Sequence, residues 1–161
     1  MPNAVKRRSG SDRFLVERFS QWIPGWGRRQ LCLSDLTDYC ERHQIEVVFA
    51  DLEDADGYAL WVGGVPYIYI AHHLRGPEKV ITGYHELAHI LYHPPHPEVF
   101  RRTGNLWNWR KCDRQAEIVG QLAWMPNVAG LSVDQVMAQF GVSHEVAVFR
   151  LQLKLWAGRI V

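Results

Sequence analysis

One short motif constrains this chain more than any other feature. Residues 85–89 read His-Glu-Leu-Ala-His, so two histidines stand four positions apart. Side chains at positions i and i+4 lie one above the other on the same face of an α-helix. If this segment is helical, His85 and His89 can present two imidazole nitrogens to one metal ion, with Glu86 beside them.

The flanking residues predict that helix. Gly76-Pro77-Glu78 suits a first helical turn, because proline is favoured there and glutamate is stabilised at the positive end of the helix dipole. Apolar residues then recur at spacings of three and four as far as Tyr92, and Pro94 follows. We therefore expect one helix between Gly76 and Pro94. His93 is expected to cap its C-terminus, where a cation is favoured.

The pattern H-E-x-x-H on a helix is typical of zinc peptidases. Two imidazoles bind zinc at about 2.0–2.1 Å. Glu86 then stands where it can take a proton from the water that zinc acidifies toward a pKa of about 7. The alternative is that His85 and His89 are surface histidines with a chance glutamate between them. A second acidic motif further along the chain favours the metal site.

A catalytic zinc needs a third protein ligand and an open position. A helix predicted from about Trp109 to Trp124 carries Asp113 and Glu117 at positions i and i+4. Both carboxylates face the same way, so one can bind the metal while the other accepts a hydrogen bond from a histidine ligand. The residues alone leave both assignments open.

Other helices and short strands are predicted before the motif. Residues 11–22 have a helical pattern, and a second helix is expected from a Ser34 cap to about His43. Residues 45–49, 58–62 and 67–70 read as strands separated by turn residues. We therefore expect a small antiparallel sheet beside the metal-binding helix. An edge strand there can align an extended peptide through main-chain hydrogen bonds.

The C-terminal residues predict two short helices. Ser132 begins a capping box, Gly141 breaks the helix, and Ser143 caps the next one, which is expected to end near Ala157. This arrangement resembles a helix-turn-helix. Its second helix starts with Ser-His-Glu and lacks the side chains that usually read DNA bases. We therefore expect the tail to pack against the rest of the chain, and direct DNA binding is not favoured.

Taken together, the motifs resemble the ImmA/IrrE family of metallopeptidases. The segments that carry the resemblance are His85-Glu86-Leu87-Ala88-His89, Asp113-Arg114-Gln115-Ala116-Glu117 and Ala123-Trp124-Met125-Pro126. We therefore expect an α+β zincin-like domain over residues 1–130, with a small antiparallel sheet beside the motif helix, and a helix-turn-helix-like tail over residues 131–161 packed on it. The resemblance itself covers roughly residues 30 to 157. It also implies Zn²⁺ as the cofactor.

The same resemblance implies that Asp113 is the third zinc ligand, since Met125-Pro126 sets the register of the second motif. The family usually has a glutamate at this position, and an aspartate is shorter by one methylene. The second helix must then lie closer to the first, or zinc is bound more weakly, or Glu117 takes over as the ligand.

The activity implied by the resemblance is zinc-dependent endoproteolysis of a regulatory protein, with Glu86 as the general base. The typical substrate is a DNA-binding repressor, often in a mobile element. Two alternatives stay open. One is a metal-binding regulator that does not cleave, and the other is the toxin of a toxin–antitoxin pair, whose partner would be the antitoxin.

Composition sets broader limits. The chain has 161 residues, a formal net charge of +1 and three cysteines. A charge this small gives no general attraction to nucleic acid, and an odd number of cysteines without C-x-x-C spacing gives no disulfide framework. No apolar run reaches the roughly 18 residues that a membrane span needs. We therefore expect a cytoplasmic protein without a membrane partner.

Overall fold

A computed structural model describes residues 3–93, 100–102 and 111–153. In chain order, the elements found there are α1 (Asn3–Trp22), α2 (Leu33–Arg42), β1 (Glu46–Ala50), β2 (Gly57–Val62), β3 (Val65–Ala71), α3 (Gly76–Tyr92), β4 (Phe100–Arg102), α4 (Lys111–Trp124), α5 (Val133–Phe140) and α6 (His144–Gln152). The expected combination of helices with a small sheet is confirmed. The predicted start of α4 at Trp109 and the predicted end of α6 at Ala157 lie outside the described residues.

The sheet is mixed, with strand order β1-β3-β2-β4. β2 and β3 form an antiparallel hairpin, and β4 pairs antiparallel with β2. β1 pairs parallel with β3, so the prediction of an antiparallel sheet is wrong for this pair. The reason is topological, because β3 returns between β1 and β2. Residue alternation identifies strands and their faces, but it does not identify the neighbouring strand.

Helix α3 lies at the centre of the molecule, against the sheet, α2 and α4. Every residue from Val80 to Ile90 is buried. A helix that is covered on all sides normally carries apolar residues all round. His85, Glu86 and His89 depart from that rule, and buried polar groups are costly unless other polar groups or a metal satisfy them. The core of this protein is therefore built around a polar site.

Gly120 allows α4 to lie very close to α3. A Cβ atom at this position would overlap the main-chain carbonyl oxygen of Ile81 on α3. Any larger residue at position 120 would therefore push the two helices apart. This is the close approach that the short side chain of Asp113, on the same helix α4, was expected to need.

The N-terminal part of the chain holds α4 from its other side. Trp26 donates a hydrogen bond from Nε1 to the carbonyl oxygen of Val119 at 3.0 Å. Arg114 contacts the buried Asp12 of α1, with Nη1 2.8 Å from Oδ1. These contacts fix the position of α4 relative to the N-terminal helix and the loop that follows it.

The cap predictions are confirmed for α5 and α6 and wrong for α2. Ser132 and Ser143 accept hydrogen bonds from the main-chain nitrogens three residues on, at 3.2 and 3.3 Å. Helix α2 begins one residue before Ser34, and Cys32 occupies the N-cap position. The reason is Asp35, whose carboxylate accepts a hydrogen bond from the Cys32 nitrogen at 2.8 Å.

The tail helices contact the end of α4 directly. Trp124 donates from Nε1 to the carbonyl oxygen of Phe140 at 2.8 Å. Arg150, only 1% exposed, donates from Nε to the carbonyl oxygen of Met125 at 2.8 Å and from Nη2 to that of Pro126 at 3.1 Å. Burial lowers the pKa of Arg150 to about 10. No helix in the described parts of the chain has the length and apolar character to cross a membrane.

Candidate metal centre

The two motif histidines face each other on one side of α3. Their Nε2 atoms lie 3.2 Å apart, and each residue is 2% exposed. The i, i+4 spacing on a regular helix produces this stacking, as the sequence predicts. Two imidazoles therefore point their outer nitrogens at a common position in the protein interior.

Helix α4 brings a carboxylate to the same position. Oδ1 of Asp113 lies 3.3 Å from Nε2 of His89. One possible ligand atom from each of His85, His89 and Asp113 lies within 4.8 Å of the other two. The structure thus places together three of the site residues that the sequence singled out.

The spacing of these atoms fits a metal ion. Nitrogen and oxygen ligands at about 2.0–2.1 Å from a tetrahedral zinc lie roughly 3.3–3.4 Å from one another. The two contacts that involve His89 are 3.2 and 3.3 Å. Moreover, Oδ1 of Asp113 is buried and has no hydrogen-bond partner among the described residues. A cation between these three atoms would neutralise their mutual repulsion and satisfy that oxygen.

The second acidic residue of α4 contacts the opposite side of the His85 ring. Oε2 of Glu117 lies 3.0 Å from Nδ1 of His85, and the Glu117 side chain is fully buried. Its other oxygen accepts a hydrogen bond from Nε2 of Gln121 at 3.0 Å. A carboxylate on Nδ1 favours the His85 tautomer whose Nε2 carries the lone pair, which is the form that binds a metal.

His89 is contacted on its Nδ1 atom by another histidine. Nδ1 of His93 lies 3.0 Å away, and Nε2 of His93 lies 3.1 Å from Oε1 of Gln115. His93 does occupy the C-cap position of α3. However, its pKa is lowered, mainly by burial, which favours the neutral imidazole. The prediction of a cationic cap is therefore not supported for His93. A neutral ring in a hydrogen-bonded chain fits these contacts.

The Asp113 carboxyl is held in its ionised form. Burial acts to raise its pKa, but the adjacent imidazoles of His89, His85 and His93 outweigh burial, and the pKa lies below the usual value for aspartate. An ionised carboxylate is the form that binds a metal.

Glu86 lies between α3 and the sheet. Its side chain is fully buried. A Cβ atom on Gly57 of β2 would come within 3.1 Å of Cγ of Glu86 and within 2.7 Å of Cγ2 of Thr82. The absence of a side chain at position 57 therefore lets β2 lie directly over the motif glutamate.

Comparison with known families shows to which of them the chain belongs. The model of the peptidase M78 family, described as the IrrE N-terminal-like domain, matches residues 40–152. The chain belongs to this family. Membership indicates a metallopeptidase, and the group of His85, His89 and Asp113 can hold its metal ion. No curated protein matches the chain.

Sequence reasoning predicted a carboxylate partner for one histidine ligand, but it missed the contacts of Gln115 and Gln121. Gln121 follows Glu117 at i+4, and that spacing was sufficient to suggest their contact. The contact of Gln115 could not be predicted from spacing, because its partner His93 lies at the end of another helix and is brought close only by folding.

Proposed function

We propose that this protein is a zinc-dependent endopeptidase with a zincin-like fold. His85, His89 and Asp113 hold the metal, and Glu86 is the general base. The observation that carries the proposal is the convergence of two imidazole nitrogens and one unsatisfied carboxylate oxygen at the spacing of zinc ligands. Two nitrogen ligands and one carboxylate are also a donor set that zinc commonly uses in enzymes.

The bound metal supplies Lewis acidity, which polarises a peptide carbonyl and lowers the pKa of water. Residues of the chain transfer the proton and position the ligands. The Glu86 carboxylate accepts a proton from the attacking water and passes it to the nitrogen of the leaving amine. Glu117 positions His85 by accepting a hydrogen bond from Nδ1.

Asp113 is preferred over Glu117 as the third ligand because the two carboxylates contact different parts of the imidazole pair. Asp113 lies beside a metal-facing nitrogen, whereas Glu117 contacts the opposite nitrogen of His85. The close packing of α4 on α3 at Gly120 supports this choice, since it compensates for an aspartate in place of the usual glutamate.

The proposed substrate is a regulatory protein in the cytoplasm, and a DNA-binding repressor is the case that the family resemblance favours. An extended segment of that protein can add to an edge of the sheet. β3 is internal, so the edges formed by the described strands are β1 and β4. Of these two, β4 lies against α3 and is the better candidate for aligning a peptide.

Cleavage can be tested before the substrate is identified. Cells of the native host would express either the wild type or Glu86→Gln, and new protein N-termini would be mapped by mass spectrometry. Termini that appear only with the wild type would support the proposal and identify the cut site. Identical termini in both cultures, together with an uncleaved partner that co-purifies with both proteins, would favour a non-cleaving regulator instead.

A further inference from the structure

A chain of two contacts links His89 back to α4. His93, at the C-cap of α3 and four residues after His89, places Nδ1 3.0 Å from Nδ1 of His89. Its Nε2 lies 3.1 Å from Oε1 of Gln115. His93 and Gln115 are each only 7% exposed, so water does not easily replace either partner. Gln115 stands two residues after Asp113 on the same helix.

The direction of these two hydrogen bonds follows from the form of His89 that binds a metal. A neutral imidazole that binds a metal through Nε2 carries its proton on Nδ1. Nδ1 of His89 must then donate to Nδ1 of His93, which leaves the His93 proton on Nε2. That proton is donated to the amide oxygen of Gln115. The opposite order would place a proton on Nε2 of His89 and block the metal.

We propose that His93 and Gln115 are positioning residues that hold His89 in its metal-binding tautomer and orientation. This inference rests on the proposed metal site and extends it. Glu117 of α4 contacts His85 directly, whereas Gln115 of α4 acts on His89 through His93. Asp113 lies on the same helix. The geometry of all three ligands thus depends on one helix.

The two histidine ligands differ in the charge of their partners. His85 donates to a carboxylate, whereas His89 donates to a neutral ring. A carboxylate partner raises the basicity of a ligand more strongly than a neutral acceptor does. The contacts through His93 therefore orient His89 without adding negative charge. The bound metal is then a stronger Lewis acid than it would be if both histidines had carboxylate partners.

The tautomers can be observed directly in the zinc-loaded protein. Long-range ¹H–¹⁵N correlation spectra of protein labelled with ¹⁵N-histidine distinguish a proton on Nδ1 from one on Nε2. We expect Nδ1–H for His85 and His89, and Nε2–H for His93. A proton on Nδ1 of His93 would overturn the inference, because that nitrogen could not then accept a hydrogen bond from His89.

Zinc affinity provides the second test, measured by competition with a chromophoric chelator. His93→Phe removes the acceptor and fills the space, and it should weaken zinc binding about 10–100-fold. Gln115→Met should weaken it less, and it should add nothing when His93→Phe is already present. His73→Phe, at an exposed histidine just before α3, is the matched control and should bind zinc like the wild type.

The outcomes separate this inference from the proposal on which it rests. Circular dichroism of each metal-free variant shows whether it folds, and Gln115→Met serves if His93→Phe does not. Wild-type affinity in both folded variants would overturn the positioning role alone. A wild type that takes up no zinc would overturn the proposed function and this inference together.

Discussion

Nδ1 of His85 lies 3.0 Å from Oε2 of Glu117, on the side of the ring that faces away from His89 Nε2 and Asp113. The two acidic residues of α4 therefore occupy different places at the site although they share one helical face. Asp113 lies beside Nε2 of His89, and Glu117 contacts the opposite nitrogen of His85. This difference is the basis for the separate roles proposed for them.

Replacement of Glu86 should separate metal binding from catalysis. Glu86→Gln keeps the size of the side chain but removes the base, so the variant should bind zinc like the wild type. Peptide cleavage should fall by about 10²–10⁴-fold, the usual contribution of a general base. Cleavage rates on an identified substrate test the loss of activity, and metal content by mass spectrometry tests the zinc binding.

Glu78→Gln is the matched control for that experiment. Glu78 lies on the same helix, is exposed, and accepts a hydrogen bond from the Arg75 nitrogen at 3.1 Å, which glutamine can also do. Its activity should equal that of the wild type. Normal cleavage by Glu86→Gln would mean that another group is the base.

The close packing at Gly120 should matter for the metal as well as for the fold. Gly120→Ala places a methyl group against the carbonyl of Ile81 and should lower the free energy of unfolding by about 1–3 kcal/mol. Because α4 carries Asp113, displacement of this helix should also weaken zinc binding by the protein. Chemical denaturation and chelator competition measure the two effects.

A second substitution tests whether the distance between α3 and α4 is the cause of the weaker zinc binding. Asp113→Glu adds one methylene and should recover part of the zinc affinity that Gly120→Ala loses. Gly76→Ala is the control, since a Cβ atom at Gly76 meets no atom within 4 Å. If Gly120→Ala bound zinc with full affinity, the spacing argument for Asp113 would be wrong.

How much the sequence could predict differs between elements. The motif helix and the strands were predictable because their signals are local, namely apolar periodicity and turn residues. Asp113 was preferred through family resemblance. The parallel pairing of β1 with β3 was not predictable, since it depends on where a later strand inserts. The contact of His93 with Gln115 likewise joins two helices that are separate in sequence.

Acid should weaken the start of α2. The hydrogen bond from Arg29 is the main cause that holds the pKa of Asp35 below its usual value. The stabilisation is therefore present above about pH 4, the pKa range of an unfolded aspartate, and is lost as the pH falls further. Urea midpoints of the wild type and Asp35→Asn should differ at pH 7, and the difference should be smaller at pH 3. A constant difference across this range would contradict the expected charge effect.

Metal content shows whether His85, His89 and Asp113 hold one zinc ion. Purified wild type, Asp113→Ala and Glu117→Ala would be supplied with zinc, desalted and measured by inductively coupled plasma mass spectrometry. We expect one zinc per wild-type chain, almost none in Asp113→Ala, and zinc held about 10–100-fold more weakly in Glu117→Ala. A wild type without zinc, or a site lost with Glu117→Ala and kept with Asp113→Ala, would contradict this account.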